Sequence, residues 1–216
     1  MNTYDIRPEL TDLPDRMQGL PVDKRGYPVP YFVLWIDGEP EFRAMNPARW
    51  MQCVSHRLCW VCGQRLGKFL AFLIGPMCAV NRTTSEPACH LECARWSAKN
   101  CPFLSRPHMH RRVDERVANA HAIGGEMIRR NPGVSLIWVT LYCKLFNDGK
   151  GQPLIEVGDP QSVEWWSEGR RATRGEVSSS IASGLPILEE IARTEQGAIE
   201  DLYKRLREIE PLLPAA

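Results

Sequence analysis

Long apolar runs are missing from this chain of 216 residues. The best of them, "FLAFLIGPMCAV", falls short of the roughly 18 residues a membrane helix needs, so no membrane partner is expected. A large net charge is missing too. The formal value of +1 gives no whole-chain argument for nucleic acid. The opening "MNTYDIRPELTDLPDR" carries acidic residues where a secretory signal has an apolar stretch, so a cytoplasmic location is expected. Without such a signal the eight cysteines read as reduced thiols or metal ligands, not as a disulfide framework. The chain also lacks a phosphate-binding loop, a G-x-S-x-G elbow and an H-E-x-x-H pair, which removes the sequence signatures of several enzyme classes. Internal repeats and low-complexity tracts are absent.

What is present is ordinary in bulk and unusual in detail. The hydrophobic share of 44% and charged share of 25% suit a globular chain of one domain, with or without an appendage. Seven tryptophans are many for this length and suggest a core built on large side chains, or an aromatic surface kept for a partner.

The pattern divides the chain into three. Residues 1–28 are rich in Pro and Asp and read as a loosely structured arm. Residues 29–160 read as a metal-stabilised α+β domain: a small mixed sheet with β-hairpins around a treble-clef-like site. One hairpin is signalled by Asp37-Gly38, and another by the strands "VSLIWVTLYCKLF" and "QPLIEVG" flanking "NDGKG". Asn46 and Pro47 signal a helix start between these features. Leu136, Trp138 and Leu141 cannot share one face, so their strand is expected to be covered on both. Residues 161–216 read as a helical C-terminal region. "TRGE" at Thr173–Glu176 matches a capping box, and Ser183-Gly184 reads as a helix stop. A separate amphipathic helix is expected from Ile187 to Ile209, its stripe needing either the body of the chain or a second copy to cover it.

One constellation carries chemistry. Cys59 and Cys62 form a C-x2-C turn closed by Gly63, and His90 and Cys93 repeat the spacing about thirty residues later. Zinc takes four tetrahedral ligands from thiolate and imidazole. A glycine-closed knuckle lets two sulfurs converge, and a pair three apart on the first turn of a helix shares a face. Knuckle, strands and helix in that order form the layout of treble-clef modules. Cys59, Cys62, His90 and Cys93 are therefore expected to hold a structural Zn2+, with Cys89 the main rival to His90 and Cys78 the next. Four protein ligands leave no open position for a catalytic water.

No catalytic residue is assigned. Between Arg95 and Arg130 there are eight Lys/Arg against three Asp/Glu, an excess of five cations. Within it Arg106, His108, His110, Arg111 and Arg112 offer a surface for phosphate, for an acidic partner or for the acidic C-terminal helix. A metal-dependent nuclease would use His108 and His110 with Asp114 and Glu115. The arginines of "GRRATRG" look like a phosphate grip, though they equally suit a helix start.

Taken together, "RGYPVPYFVLWIDGEPEFR", "LCWVCG", "AFLIGPMCAVNRTTSEPACHLECARWSAKNCPFL" and "EGRRATRGEVSSSIASGLPILEE" resemble a group of small uncharacterised proteins of bacteriophages and prophage-bearing bacteria. The resemblance implies a mobile-element setting in a bacterial host cytoplasm, favours His90 over Cys89, and supplies no activity. The expected function is binding without catalysis, toward another protein (host machinery or a defence system) or a second copy of itself. A nuclease or nucleic-acid-binding module is the alternative.

Overall fold

A computed structural model describes residues 4–106, 131–147, 149 and 153–215. The α+β class expected from the sequence is what forms. Its strands are distributed over three sheets, every described pairing antiparallel.

The first sheet is the hairpin β1 (Val33–Ile36) and β2 (Glu39–Met45). Its turn has Asp37 at φ 51° and Gly38 at φ 79°, the two left-handed residues that a tight hairpin turn matching strand twist requires. Helix α1 (Pro47–His56) follows, capped by the Asn46 side chain accepting from the Arg49 N–H. It buries Trp50 and Cys53 and ends at Arg57, φ 54°.

The second sheet forms the middle of the molecule, in the order β3–β5–β8–β9. These are β3 (Leu70–Ile74), β5 (Ser135–Thr140), β8 (Pro160–Ser167) and β9 (Arg170–Arg171). All six residues of β5 are buried, so the strand is covered on both faces as the run "VSLIWVT" requires. Trp138 is 1% exposed and its indole N–H donates to the Gly158 carbonyl at 2.8 Å. Sequence reading placed a strand boundary too late here. "VSLIWVTLYCKLF" is two strands in two sheets, because the chain turns at Leu141-Tyr142 and continues as β6 (Cys143–Asn147). β6 forms the second hairpin with β7 (Pro153–Val157), in a sheet ordered β4–β7–β6 with β4 (Thr83–Thr84).

Helices α2 (Pro76–Asn81), α3 (Leu91–Asn100) and α4 (Pro102–Ser105) pack around this frame. α2 is only six residues long, started by Pro76 and closed by Arg82 in a left-handed conformation. Residues 15–22, expected as part of a loose arm, contribute Met17, Leu20 and Val22 to the buried set. Residues 161–167, assigned to the helical region, belong to strand β8.

The stop expected at Ser183-Gly184 does not occur. Helix α5 runs unbroken over Arg174–Ala192 with Pro186 inside it. An internal proline costs about 3 kcal/mol. The face Val177, Ser180, Gly184 and Leu188 is buried at helical spacing, and that burial outweighs the local signal. The capping box does form: Thr173 accepts from the Glu176 N–H, and the Glu176 carboxylate accepts from the Thr173 N–H at 2.7 Å. The break comes later, at Gly197 with φ 80°, and α6 spans Ala198–Ile209. The single helix expected from Ile187 onward is thus the end of α5 and a separate α6.

The apolar stripe of α6 is covered by its own chain. Leu202 and Ile209 are each 4% exposed, Leu206 packs against the core, and the helix lies on α2 and α5. Arg205 donates to the Asn81 carbonyl at the end of α2, Arg82 pairs with Glu208 at 3.5 Å, and the Trp165 indole donates to the Leu212 carbonyl at 2.9 Å. Self-association through this stripe therefore loses its premise. Leu202→Ala is expected to cost about 2–5 kcal/mol, whereas Tyr203→Ala, at a residue 42% exposed, should stay within about 0.5 kcal/mol. Denaturant midpoints of the two variants check the contrast. No described helix is long and apolar enough to cross a membrane.

Candidate metal centre

The knuckle begins where α1 ends. Leu58 and Arg65 bridge as an antiparallel pair, and the turn between them is closed by Cys59 N–H to Gln64 O (2.7 Å) and Gly63 N–H to Cys59 O (2.8 Å). Gly63 sits at φ 75°, and a Cβ there would lie 2.7 Å from the Tyr31 ring. Both the backbone conformation and the neighbour demand glycine. Gly63→Ala is therefore expected to cost about 1–3 kcal/mol and to weaken metal retention, read as a lower melting temperature and faster loss of metal to a competing dye.

The second pair arrives through β3. Ala71 and Cys89 exchange backbone hydrogen bonds at 3.0 and 2.7 Å, and the Trp60 N–H donates to Ala88 O at 3.0 Å. These bonds hold residues 88–90 against the knuckle. His90 then takes the N-cap position of α3 in an extended conformation, with Cys93 in the first turn. Arg16 fastens the outside, reaching Glu92 of α3 at 2.8 Å and Gln64 of the knuckle at 3.2 Å. Phe32 stacks on Trp60 with centroids 4.9 Å apart.

The result brings all four expected residues together. One ligand atom from each of Cys59, Cys62, His90 and Cys93 lies within 4.8 Å of the other three, close enough to bind one metal ion. Cys59 and Cys93 are fully buried, and His90 and Cys62 are 8% and 9% exposed. The Cys62 sulfur and His90 Nδ1 are 3.3 Å apart. On the opposite side of the ring His90 Nε2 is 3.1 Å from the Arg65 carbonyl. That carbonyl can only accept, so Nε2 carries the proton and the Nδ1 lone pair faces the sulfurs. A backbone carbonyl that fixes the tautomer of a ligating histidine is a recurring support of metal sites. Arg65 was missed in the sequence, since nothing in a carbonyl's own residue type signals it.

Cys89 is not part of the group. Its thiol donates to the Ala71 carbonyl at 3.1 Å and burial pushes its pKa well up, so it stays a neutral packing residue. Cys78 and Cys53 are pushed up by burial to about 11 and about 12. They too lie outside the cluster.

The donor set suits a thiophilic cation. Burial alone would raise the Cys59 thiol, but contacts from Cys62, Cys93 and His90 together hold it well below the usual thiol range, and the Cys62 and His90 N–H groups each lie 3.4 Å from its sulfur. Contact with Cys59 pushes Cys62 up to about 11 and Cys93 further still. One thiolate forms readily and opposes the ionisation of its neighbours. A dication among them removes that opposition, which is how metals bind thiolates outright. Three sulfurs and one imidazole complete a tetrahedral shell.

The second sequence candidate is not brought to this centre. Arg106 follows α4, while His108, His110, Arg111 and Arg112, with Asp114 and Glu115, lie outside the described residues. The arginines of "GRRATRG" are each matched to a carboxylate. Arg170 pairs with Glu176 at 2.7 Å, Arg171 with Glu164 at 3.0 Å, and Arg174 with Glu210. Glu164, 8% exposed, is also gripped by Arg95 through Nε at 3.1 Å. Arg170 joins the sheet to α5, Arg171 and Arg95 close on β8, and Arg174 ties α5 to the C-terminal end, so these cations are engaged structurally. Comparison of the chain with family models, with curated proteins and with solved structures finds no match to any of them.

Proposed function

We propose that the chain is a zinc-binding protein in which the metal is structural and the function is macromolecular binding without catalysis. The observation that carries this reading is the closed, buried set of three sulfurs and one Nδ1 within 4.8 Å. Catalytic zinc sites keep a position for water or substrate. Here four protein ligands fill the shell, and two of them are fully buried. Zinc would fasten the knuckle to the start of α3, and so hold β3 and the central sheet in place. It would supply folding free energy and no Lewis-acid step.

The mobile-element setting rests on the sequence resemblance, and with it a role toward host machinery or a defence system in a bacterial cytoplasm. The test is a titration of the zinc-loaded chain with labelled single- and double-stranded DNA and RNA, at two salt concentrations and with or without magnesium. A protein-directed binder leaves the probes intact and unbound at physiological salt. Cleavage would show an enzyme. Binding that weakens steeply with salt would assign the chain to the nucleic-acid class.

A further inference from the structure

Every residue of β6 is exposed, on both faces of the strand. Leu145 is 48% exposed on one face and Phe146 37% on the other. The strand lies at the edge of its sheet and, among the described residues, pairs with β7 alone. Such an edge presents unpaired backbone groups to any strand that fits.

Two hydrogen bonds set which groups those are. The Val157 N–H donates to Arg82 O at 2.8 Å, on the β4 side of β7, and the Gly158 N–H donates to Tyr142 O at 3.2 Å. Cys143, paired with Val157, therefore turns its own N–H and C=O away from β7. Antiparallel ladders alternate residue by residue, so Leu145 and Asn147 do the same. The open edge carries three outward-facing residues at every second position, with Leu145 at their centre.

That pattern is its own complement. We propose that β6 is a docking edge for a second copy of this chain, paired antiparallel about a two-fold axis at Leu145. Leu145 then meets the partner's Leu145, and Cys143 meets the partner's Asn147, giving about six backbone hydrogen bonds. Lys144, which would otherwise guard the edge, falls beside the partner's Phe146 in the closer type of cross-strand pair. There its ammonium meets an aromatic face instead of a like charge. The leucines pack on one face and the Lys144–Phe146 pairs on the other, joining two three-stranded sheets into one. A five-residue strand pair buries less than the roughly 1,200 Å2 at which standard specific complexes begin. Association is correspondingly weak and depends on concentration. The inference rests on strand geometry and stands apart from the metal reading.

Sedimentation equilibrium of the full chain as purified tests it. The wild type should move from monomer at roughly 5 µM toward dimer at roughly 500 µM. Leu145→Lys, which sets two ammonium groups opposite each other, should stay monomeric throughout with unchanged circular dichroism and zinc content. Leu145→Cys should cross-link to itself under mild oxidation, with the disulfide mapped to position 145 by mass spectrometry. The wild-type Cys143, offset from its own copy, should not cross-link. A wild type that is monomeric at 500 µM overturns the proposal, as would a Leu145→Lys variant that dimerises like the wild type. So would cross-linking of Leu145→Cys no greater than wild-type background.

Discussion

Chelation of the metal is expected to abolish the folded state. Structural zinc contributes about 10–16 kcal/mol of apparent binding free energy at neutral pH, while a domain of this kind has only about 5–15 kcal/mol of net stability in total. The four candidate ligands join the knuckle after α1 to the first turn of α3, where both are packed into the buried core. Near-ultraviolet circular dichroism and tryptophan emission should therefore collapse together when a strong chelator is added. Trp60, between Cys59 and Cys62 and stacked on Phe32, reports the centre, and the buried Trp96, on α3 beyond Cys93, reports that helix. Adding zinc back should restore both signals, and magnesium should not. Thiols and imidazole must lose protons to bind, so acid competes with the metal. The chelator concentration at half-loss should fall as pH is lowered from about 8 to about 6.

The second large effect separates His90 from Cys89, adjacent residues that sequence alone left as rivals. His90→Ala removes one ligand of four and should lower zinc affinity by at least 100-fold, leaving most of the purified protein unfolded or insoluble. Cys93→Ser and Cys59→Ser should be at least as severe. Cys89→Ala deletes a buried sulfur whose hydrogen bond goes to the Ala71 carbonyl, so it should cost about 1–2 kcal/mol and keep a full complement of metal. Competition with a chromophoric chelator ranks the variants. Retention of zinc by His90→Ala together with its loss from Cys89→Ala would move the fourth ligand to Cys89.

How far these features were legible depended on how local their causes are. The Asp37-Gly38 turn, the Asn46 cap and the Thr173–Glu176 box follow from contacts within a few residues, and each formed as read; the two Cys/His pairs were each legible from their own spacing, and the fold brings them together. The errors arose where distant packing outweighed a local signal. Ser183-Gly184 followed by Pro186 is a helix stop in isolation, but Leu188 has a buried place one turn beyond it, and the helix continues to reach it. The run "VSLIWVTLYCKLF" looks continuous because apolar residues persist through Leu141 and Tyr142. Those two are exposed and mark the corner between two sheets. The Arg65 carbonyl behind His90 and the two-sided exposure of β6 were invisible for a simpler reason. A backbone acceptor has no sequence signature, and an edge strand is an edge only once the sheet order is known.

The most direct test of the central claim is X-ray absorption at the zinc edge, on full-length protein purified without added metal and combined with elemental analysis. The account expects one zinc per chain in a four-coordinate shell, with three sulfurs at about 2.3 Å and one nitrogen at about 2.0–2.1 Å. Folded protein that carries no zinc, or a shell containing a water oxygen in place of one of these ligands, would contradict it.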